Sequence, residues 1–234
     1  MKKTTIPVEE IVKIPLFHDL CQDDVLPLIE SAHEKQLLAG EFFYFQGDTA
    51  ESMYVLIKGR VKLSQIGQDG KQALIEVIKP TRLFGLVAMT SASTYPVTAQ
   101  AAMESNAIYW TRIEMMSLVM REPKLAMNAM RIMADQLQEI QDRFRQVTTL
   151  RVEQRLANTL MRLAANSGKR VKEGILIDHI LSRQDLAEMS GTTLYTASRT
   201  LSQWHGQQLV IAGREKVIIR NPHGLARIIE QFPG

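Results

Sequence analysis

The sequence predicts an α+β chain with an antiparallel β-barrel or jelly roll at its N-terminal end, a long helix in the middle and a winged helix-turn-helix at its C-terminal end. Three observations carry this. Short runs rich in aromatic and β-branched residues recur between glycines from Gly40 to Gly85 and again around Trp110, the spacing of an antiparallel barrel or sandwich. Beyond Pro123, apolar residues recur in steps of three and four, which makes a helical seam. The stretch LSRQDLAEMSGTTLYTASRTLSQW, Leu181 to Trp204, reads as two short helices joined by a tight turn.

In order along the chain, Val8 to Lys35 is amphipathic and predicts a helical cover, with Pro15 and Pro27 as breaks or first-turn residues. The runs FFYF, MYVLI, VKLSQI, ALIEVI and AIYWTRI follow as strands. Asp69-Gly70 marks a hairpin between two of them, because a primed turn needs residues that tolerate positive φ. Met130, Met133, Leu137, Ile140, Phe144 and Val147 then lie on one narrow seam with polar neighbours on both sides. A seam that narrow suits a partner helix and predicts a parallel two-fold coiled-coil dimer; the competing reading is packing on the chain's own barrel. Val152, Leu156, Leu160 and Leu163 continue as a second helix as far as Asn166-Ser167-Gly168, and Gly174 introduces the strand-like ILIDHI. LVIAG and REKVIIR make a two-stranded wing, closed by a short helix around Leu225 to Ile229. The predicted divisions are residues 1–121, a linking helix at 122–150, and a helix-turn-helix domain at 151–234.

Within the two-helix stretch, Ser182 followed at the third position by Asp185 is a weak capping box, and Gly191 breaks the first helix. Thr192 or Thr193 caps the second, in which Leu194, Ala197, Leu201 and Trp204 recur at helical spacing while Tyr195, Thr196, Ser198, Arg199 and Ser202 fall on other faces. A helix that reads DNA needs this division: one face packs inward while side chains near its N-terminus reach base edges and phosphates. An ordinary helical hairpin with a solvated face is the plain alternative.

Charge separates the two ends. Residues 1–149 hold 16 Lys+Arg against 18 Asp+Glu, whereas residues 150–234 hold 12 against 7, so the formal +3 of the 234-residue chain is concentrated at the C-terminal end. That balance agrees with phosphate neutralisation. The single cysteine, Cys21, excludes an intrachain disulfide and cannot by itself hold an iron-sulfur cluster. MKKTTIPVEE leads into no apolar signal region and no run reaches the length of a membrane span, so a soluble cytoplasmic protein is expected. Phosphate-loop and dinucleotide glycine motifs are missing from the sequence, and an enzyme is not expected.

With these parts in this order, the chain resembles the CRP/FNR superfamily of bacterial transcription regulators. The resemblance is carried by AGEFFYFQGDTAESMYVLIKGRVKLSQIGQDGKQALIEVI, by LFGLVAM at a binding loop and by LSRQDLAEMSGTTLYTASRTLSQW, and it covers nearly the whole sequence. It implies a cyclic-nucleotide-binding-like barrel as a sensory domain, a homodimer, a near-palindromic double-stranded operator and contact with RNA polymerase. It also implies a DNA-facing set of Ser182, Arg183, Gln184, Thr192, Thr193, Tyr195, Thr196, Ser198, Arg199 and Ser202. Ser182 and Gln184 resemble the family's phosphate-contacting residues, and Arg199 falls on the arginine that reads guanine. The family's glutamate four residues before that arginine is replaced by Tyr195, which predicts an operator departing from the usual consensus.

The effector loop departs as well. Members that bind cyclic AMP carry a glutamate directly after the loop glycine and an arginine about eleven positions later; here Leu86 follows Gly85, and Val97 precedes Thr98-Ala99. Without that cation a partly buried phosphate is poorly compensated, so cyclic-nucleotide binding is disfavoured unless Lys71, Lys79 or Arg82 substitutes. The implied effector pocket comprises Gly85, Leu86, Val87, Val97, Thr98, Met133 and Leu137, with a small molecule or gas of unknown identity as the signal. GTTLYTASRTLSQW is similar to the nitrogen-oxide-responsive branch, some of whose members bind haem; His18 and His33 are the axial-ligand candidates that this implies. A ligand-binding or protein-interaction module without operator binding is the alternative from another class.

Overall fold

The computed structural model describes residues 14–68, 70, 72–90, 94–177, 182–213 and 216–230. Its contacts divide the chain into two units, Met1–Glu139 and Ile140–Gly234, so the division falls inside the long helix and not at either of its ends. Among the described residues no helix is long and apolar enough to cross a membrane.

In the first unit a short turn of 3₁₀ helix at Pro15–Phe17 and helix α1 (Gln22–Glu30) lead into the strands β1 (His33–Leu37), β2 (Phe42–Tyr44), β3 (Ser52–Lys58), β4 (Val61–Ile66), β5 (Gln72–Ile78), β6 (Leu83–Phe84), β7 (Thr98–Ala101) and β8 (Ser105–Thr111). They pair as two antiparallel sheets, β1-β8-β3-β6 and β2-β7-β4-β5. The five predicted runs supply β2 to β5 and β8, but the sheets stay separate, as a jelly-roll sandwich and not a closed barrel. The β4–β5 hairpin closes with Gly70 at φ +75°; its predicted partner Asp69 lies outside the described residues.

Period-two alternation gives β3 and β8 of the first sheet two different cores. Met53 and Val55 of β3, with Ile108 and Trp110 of β8, pack beneath Leu16, Phe17, Leu28 and Ile29 of the N-terminal cover. Tyr54 and Leu56, with Ala107, turn to the second sheet and meet Phe43, Tyr44, Val61, Phe84, Tyr95 and Ala99. The Trp110 indole N–H donates to the Leu28 carbonyl at 2.8 Å, so burying that ring leaves no donor unpaired. Helix α2 (Arg112–Arg121) starts where β8 ends, on a capping box made by Thr111 and Glu114.

Two expectations for the cover need correcting. The predicted helix does not reach Lys35: α1 ends at Glu30, and His33 to Leu37 form an edge strand paired with β8. Pro27 sits inside α1 and neither breaks it nor begins it. Residues 8–13 of the expected helix lie outside the described residues.

Helix α3 (Lys124–Thr149) carries two apolar stripes. Leu125 and Ala129 are buried in the first unit's core, with Ile132 and Met133 packed against it, and Asn128 donates from Nδ2 to the carbonyls of Leu16 and His18 at 3.0 and 2.7 Å. About a quarter turn away, by 100° per residue, Met130, Leu137, Ile140 and Phe144 are 52, 57, 59 and 72% exposed. Val147 lies in the helix, but its side chain is outside the described set.

The second unit contains α4 (Val152–Ser167), β9 (Gly168–Val171), β10 (Gly174–Ile177), α5 (Arg183–Met189), α6 (Leu194–Gly206), β11 (Val210–Ala212), β12 (Val217–Ile219) and α7 (Pro222–Glu230). The wing hairpin β11–β12 is half of a four-stranded sheet ordered β11-β12-β10-β9, larger than the predicted pair. Gly174, at φ +143°, lets β10 approach β12 so closely that a Cβ would run into the Ile219 carbonyl. Of the predicted ILIDHI strand, Asp178 to Ile180 lie outside the described residues.

Candidate nucleic-acid interface

The sequence at Ser182 dictates how the first helix begins. The Ser182 hydroxyl accepts from Asp185 N at 3.1 Å, while the Asp185 carboxylate accepts from Ser182 N and Oγ at 2.8 and 2.9 Å. Two N–H groups that a helix start leaves orphaned are thereby satisfied reciprocally. The helix stops at Gly191, at φ +61°, a conformation that costs glycine little. Thr193 then caps α6, its Oγ1 accepting from Thr196 N at 3.2 Å and lying 2.9 Å from Thr196 Oγ1. Thr193, not Thr192, is therefore the cap, and Thr192 is half-buried with its N–H bonded to the Ala187 carbonyl at 2.9 Å.

The turn between the helices is held from outside the motif, by a residue that sequence reading missed. Arg155 of α4 donates from Nε to the Ser190 carbonyl and from Nη2 to the Gly191 carbonyl, both at 2.9 Å, and from Nη1 to the Leu150 carbonyl at 3.0 Å. A planar guanidinium spends its fixed fork of donors on the carbonyls that end α4's entry and α5. A lone arginine beside Leu156 gives no signal for this at sequence level. The Ser190 hydroxyl adds a bond to Thr159 Oγ1 at 3.2 Å.

Helix α6 then sorts its faces. Ala197, Thr200, Leu201 and Trp204 are buried at 0, 5, 0 and 2% exposure. Leu194 departs from the expected inward set: at the first position of the helix it is 47% exposed and lines a groove of about 520 Å³ with Ser182, Arg183, Gln184, Ala212 and Gly213. That groove joins the start of α5, the start of α6 and the wing. Tyr195 is 74% exposed; Arg199 and Ser202 are also exposed, and Thr196 and Ser198 half-buried. Arg199 makes no hydrogen bond or ion pair among the described residues, so its donors are available to a ligand. Gln184 is tied to Glu188 by a 2.8 Å bond along α5. His205 Nδ1 accepts from Ala212 N at 3.4 Å, linking α6 to the wing.

In the first unit the candidate effector residues divide. Gly85, at φ +70°, caps the short Leu86–Met89 turn, and Val87 and Val97 pack against the core between the sheets. Leu86 instead belongs to the core under the helices, where Met133 also packs. Leu137 is exposed, and Thr98 Oγ1 accepts from Gln46 N at 3.0 Å. Between the sheets the core is packed with stacked rings, Tyr44 on Tyr95 at 3.7 Å and Tyr54 on Phe84 at 5.0 Å between centroids. The Tyr95 hydroxyl donates to Ser52 O at 2.6 Å and accepts from Ser52 N at 2.9 Å. Burial pushes the phenols of Tyr44, Tyr54 and Tyr95 up, so these three rings are uncharged.

The cation that the structure brings to these rings is one the sequence reading missed. Lys35 Nζ donates to the Phe43 carbonyl at 3.1 Å and stands 5.7 and 5.9 Å from the Phe43 and Tyr54 centroids. Burial lowers its pKa. Of the proposed substitutes for the missing arginine, Arg82 pairs with Glu76 at 3.6 Å. Lys79, lowered first by burial and then by Arg60 and Arg82, stands in that same charged group, and Lys71 lies outside the described residues. His18 is 61% exposed beside Asp19, and His33, 47% exposed, holds Glu114 at 2.8 Å. Among the described residues neither imidazole is enclosed by an apolar wall, and each is exposed beside a carboxylate, a setting that does not fit a haem.

A two-sheet sandwich, a long helix and a winged helix-turn-helix with an outward arginine define a DNA-binding regulator. Residues 34–122 match the model of the cyclic nucleotide-binding domain and residues 154–228 that of the Crp-like helix-turn-helix domain. The chain belongs to the CRP/FNR family of transcription regulators, whose members bind DNA and typically form homodimers. It is 23% identical to the global nitrogen regulator of a Nostoc species over 91% of this chain and 94% of that one. It is 20% identical to the CRP-like cAMP-activated global transcriptional regulator of Mycobacterium tuberculosis, over 94% and 98%. The structure of FixK2 from Bradyrhizobium japonicum superposes with a TM-score of 0.76 at 22% identity, covering 86% of this chain and 99% of that one. Relatives named for nitrogen and for cyclic AMP both match, so the likeness defines the family and not the signal.

Proposed function

We propose that this regulator works as a homodimer which places two α6 helices in successive major grooves of a near-palindromic operator, with Arg199 reading guanine in each half-site. The observation that carries the reading is the division of α6. Its inner face is consumed by Ala197, Leu201 and Trp204, while Arg199 stands exposed on the outer side of the helix and Ser182, Arg183 and Gln184 line a groove with Leu194 at the helix start. A guanidinium so presented donates bidentately to guanine O6 and N7, and the groove residues take backbone phosphates that fix register. The exposed seam of Met130, Leu137, Ile140 and Phe144 supports a parallel pairing of two α3 helices.

The signal acts by a population shift: a small molecule taken up by the first unit favours one placement of the paired DNA-binding units over another. The stacked rings packed between the sheets, with Lys35 as a single ammonium beside them, argue against cyclic AMP, and Cys21 alone argues against an iron-sulfur cluster. The protein acts by binding and not by catalysis, in the cytoplasm, with RNA polymerase as its protein partner. Sequencing of DNA bound to the full chain, joined to a thermal-shift screen of small ligands, tests this reading. It predicts enrichment of an inverted repeat and a ligand that raises the unfolding midpoint; random fragments and no stabilising ligand would refute it.

A further inference from the structure

We infer that Tyr195 reads a thymine methyl group, so that this chain's half-site carries a thymine within about two base pairs of the guanine taken by Arg199. The inference rests on the reading of α6 as the DNA-facing helix. The first turn of α6 offers polar side chains, but they are turned to internal work: Thr193 caps the helix and its hydroxyl meets that of Thr196 at 2.9 Å. What projects outward is apolar. Tyr195 is 74% and Leu194 47% exposed, adjacent, and at the end of the helix that enters a groove first.

Spacing ties Tyr195 to Arg199. Residues four apart share a helix face and stand about 6 Å apart along its axis. Base pairs rise about 3.4 Å each, so the two side chains address positions no more than about two steps apart. Chemistry then selects the base. Of the four bases only thymine offers an apolar group on its major-groove edge, the 5-methyl, and apolar side chains are its usual partners. A phenol ring supplies a broad apolar face with little conformational entropy to lose. Leu194, in the groove beside Ser182 and Gly213, closes the side of that contact against water. A carboxylate at position 195 would instead accept from the cytosine amino group.

The test is selection of half-sites from random DNA by the full-length protein, at low ionic strength and without added effector. A switching equilibrium scales every affinity by the same competent fraction and leaves the ranking of sequences unchanged. The wild type is expected to enrich thymine within two positions of the guanine, and Tyr195→Glu to replace that thymine by cytosine. On the selected duplex, exchanging this thymine for deoxyuridine removes only the methyl. It should weaken binding about fourfold for the wild type and for Tyr195→Phe, and not at all for Tyr195→Ala. Because Tyr195 is exposed, unchanged thermal midpoints confirm that the variants fold. Cytosine or no preference at that position in the wild type, or a deoxyuridine penalty that survives Tyr195→Ala, would overturn the inference while leaving the guanine contact of Arg199 intact. Failure to enrich any sequence would overturn the DNA-facing reading and this inference together.

Discussion

Arg155 Nε donates to the Ser190 carbonyl at 2.9 Å, with Nη2 reaching the next carbonyl, Gly191 O, at the same distance. A residue outside the helix-turn-helix therefore fixes the angle at which the motif's two helices meet. Arg155→Lys keeps the charge but loses the fork. We expect it to lower the stability of the second unit by about 1 to 2 kcal/mol, from lost charge-assisted hydrogen bonds. Chemical denaturation followed by Trp204 fluorescence measures this; an unchanged midpoint would show that the clamp is dispensable.

The seam on α3 predicts the oligomeric state. Leu137→Glu and Phe144→Glu each place a charge on an exposed apolar position that a parallel partner helix would bury. Sedimentation equilibrium should then show monomers where the wild type shows dimers, with the far-ultraviolet circular dichroism of both variants unchanged. Persistent dimers would assign the interface to another surface.

Acid should loosen the first unit at Glu114. Partial burial disfavours its charged form, but hydrogen bonds from His33 and from Thr111 N and Oγ1 outweigh that and hold the carboxyl below the usual carboxylate range. A group lowered in the folded state stabilises above its unfolded value, and that contribution disappears as pH falls through the folded one. Thermal midpoints recorded downward from neutral pH should therefore decline in the acidic range, and decline less steeply in Glu114→Gln. Parallel slopes for the two proteins would contradict this.

Cyclic AMP should give no saturable heat in a calorimetric titration at micromolar protein. Between the sheets stand stacked phenols, and Arg82, one candidate counter-charge, is already paired with Glu76. Lys35 reaches the rings, but as a single ammonium bound to a backbone carbonyl, it lacks a bidentate fork for a phosphate. Micromolar binding would contradict the account of this core.

Much of this was legible in the sequence because local chemistry and tertiary packing agree. The run MYVLI marked β3, and Ser182 with Asp185 marked the start of α5. Legibility failed where a residue's role depends on distant chain. Strand β9 is exposed at every position, so no periodicity marks it. Met133 shares its spacing with the seam, yet packs against the first unit's core; three-and-four steps cannot say which of two adjoining stripes meets the chain itself. Leu194 has inward spacing but stands at a helix start, where no preceding turn covers it. Arg155 and Lys35 act on backbone carbonyls of other elements, which one sequence does not bring together.

The central claim is that α6 reads DNA through Arg199. Its most direct test is titration of wild type and Arg199→Ala against the selected operator and a scrambled duplex across a range of salt. For the wild type, log affinity should fall linearly with log salt, with a slope of about −0.9 per phosphate neutralised, and the operator should be preferred throughout. Arg199→Ala should retain most of that slope and the dimer while losing the preference between duplexes. Equal preference in wild type and variant would contradict the account.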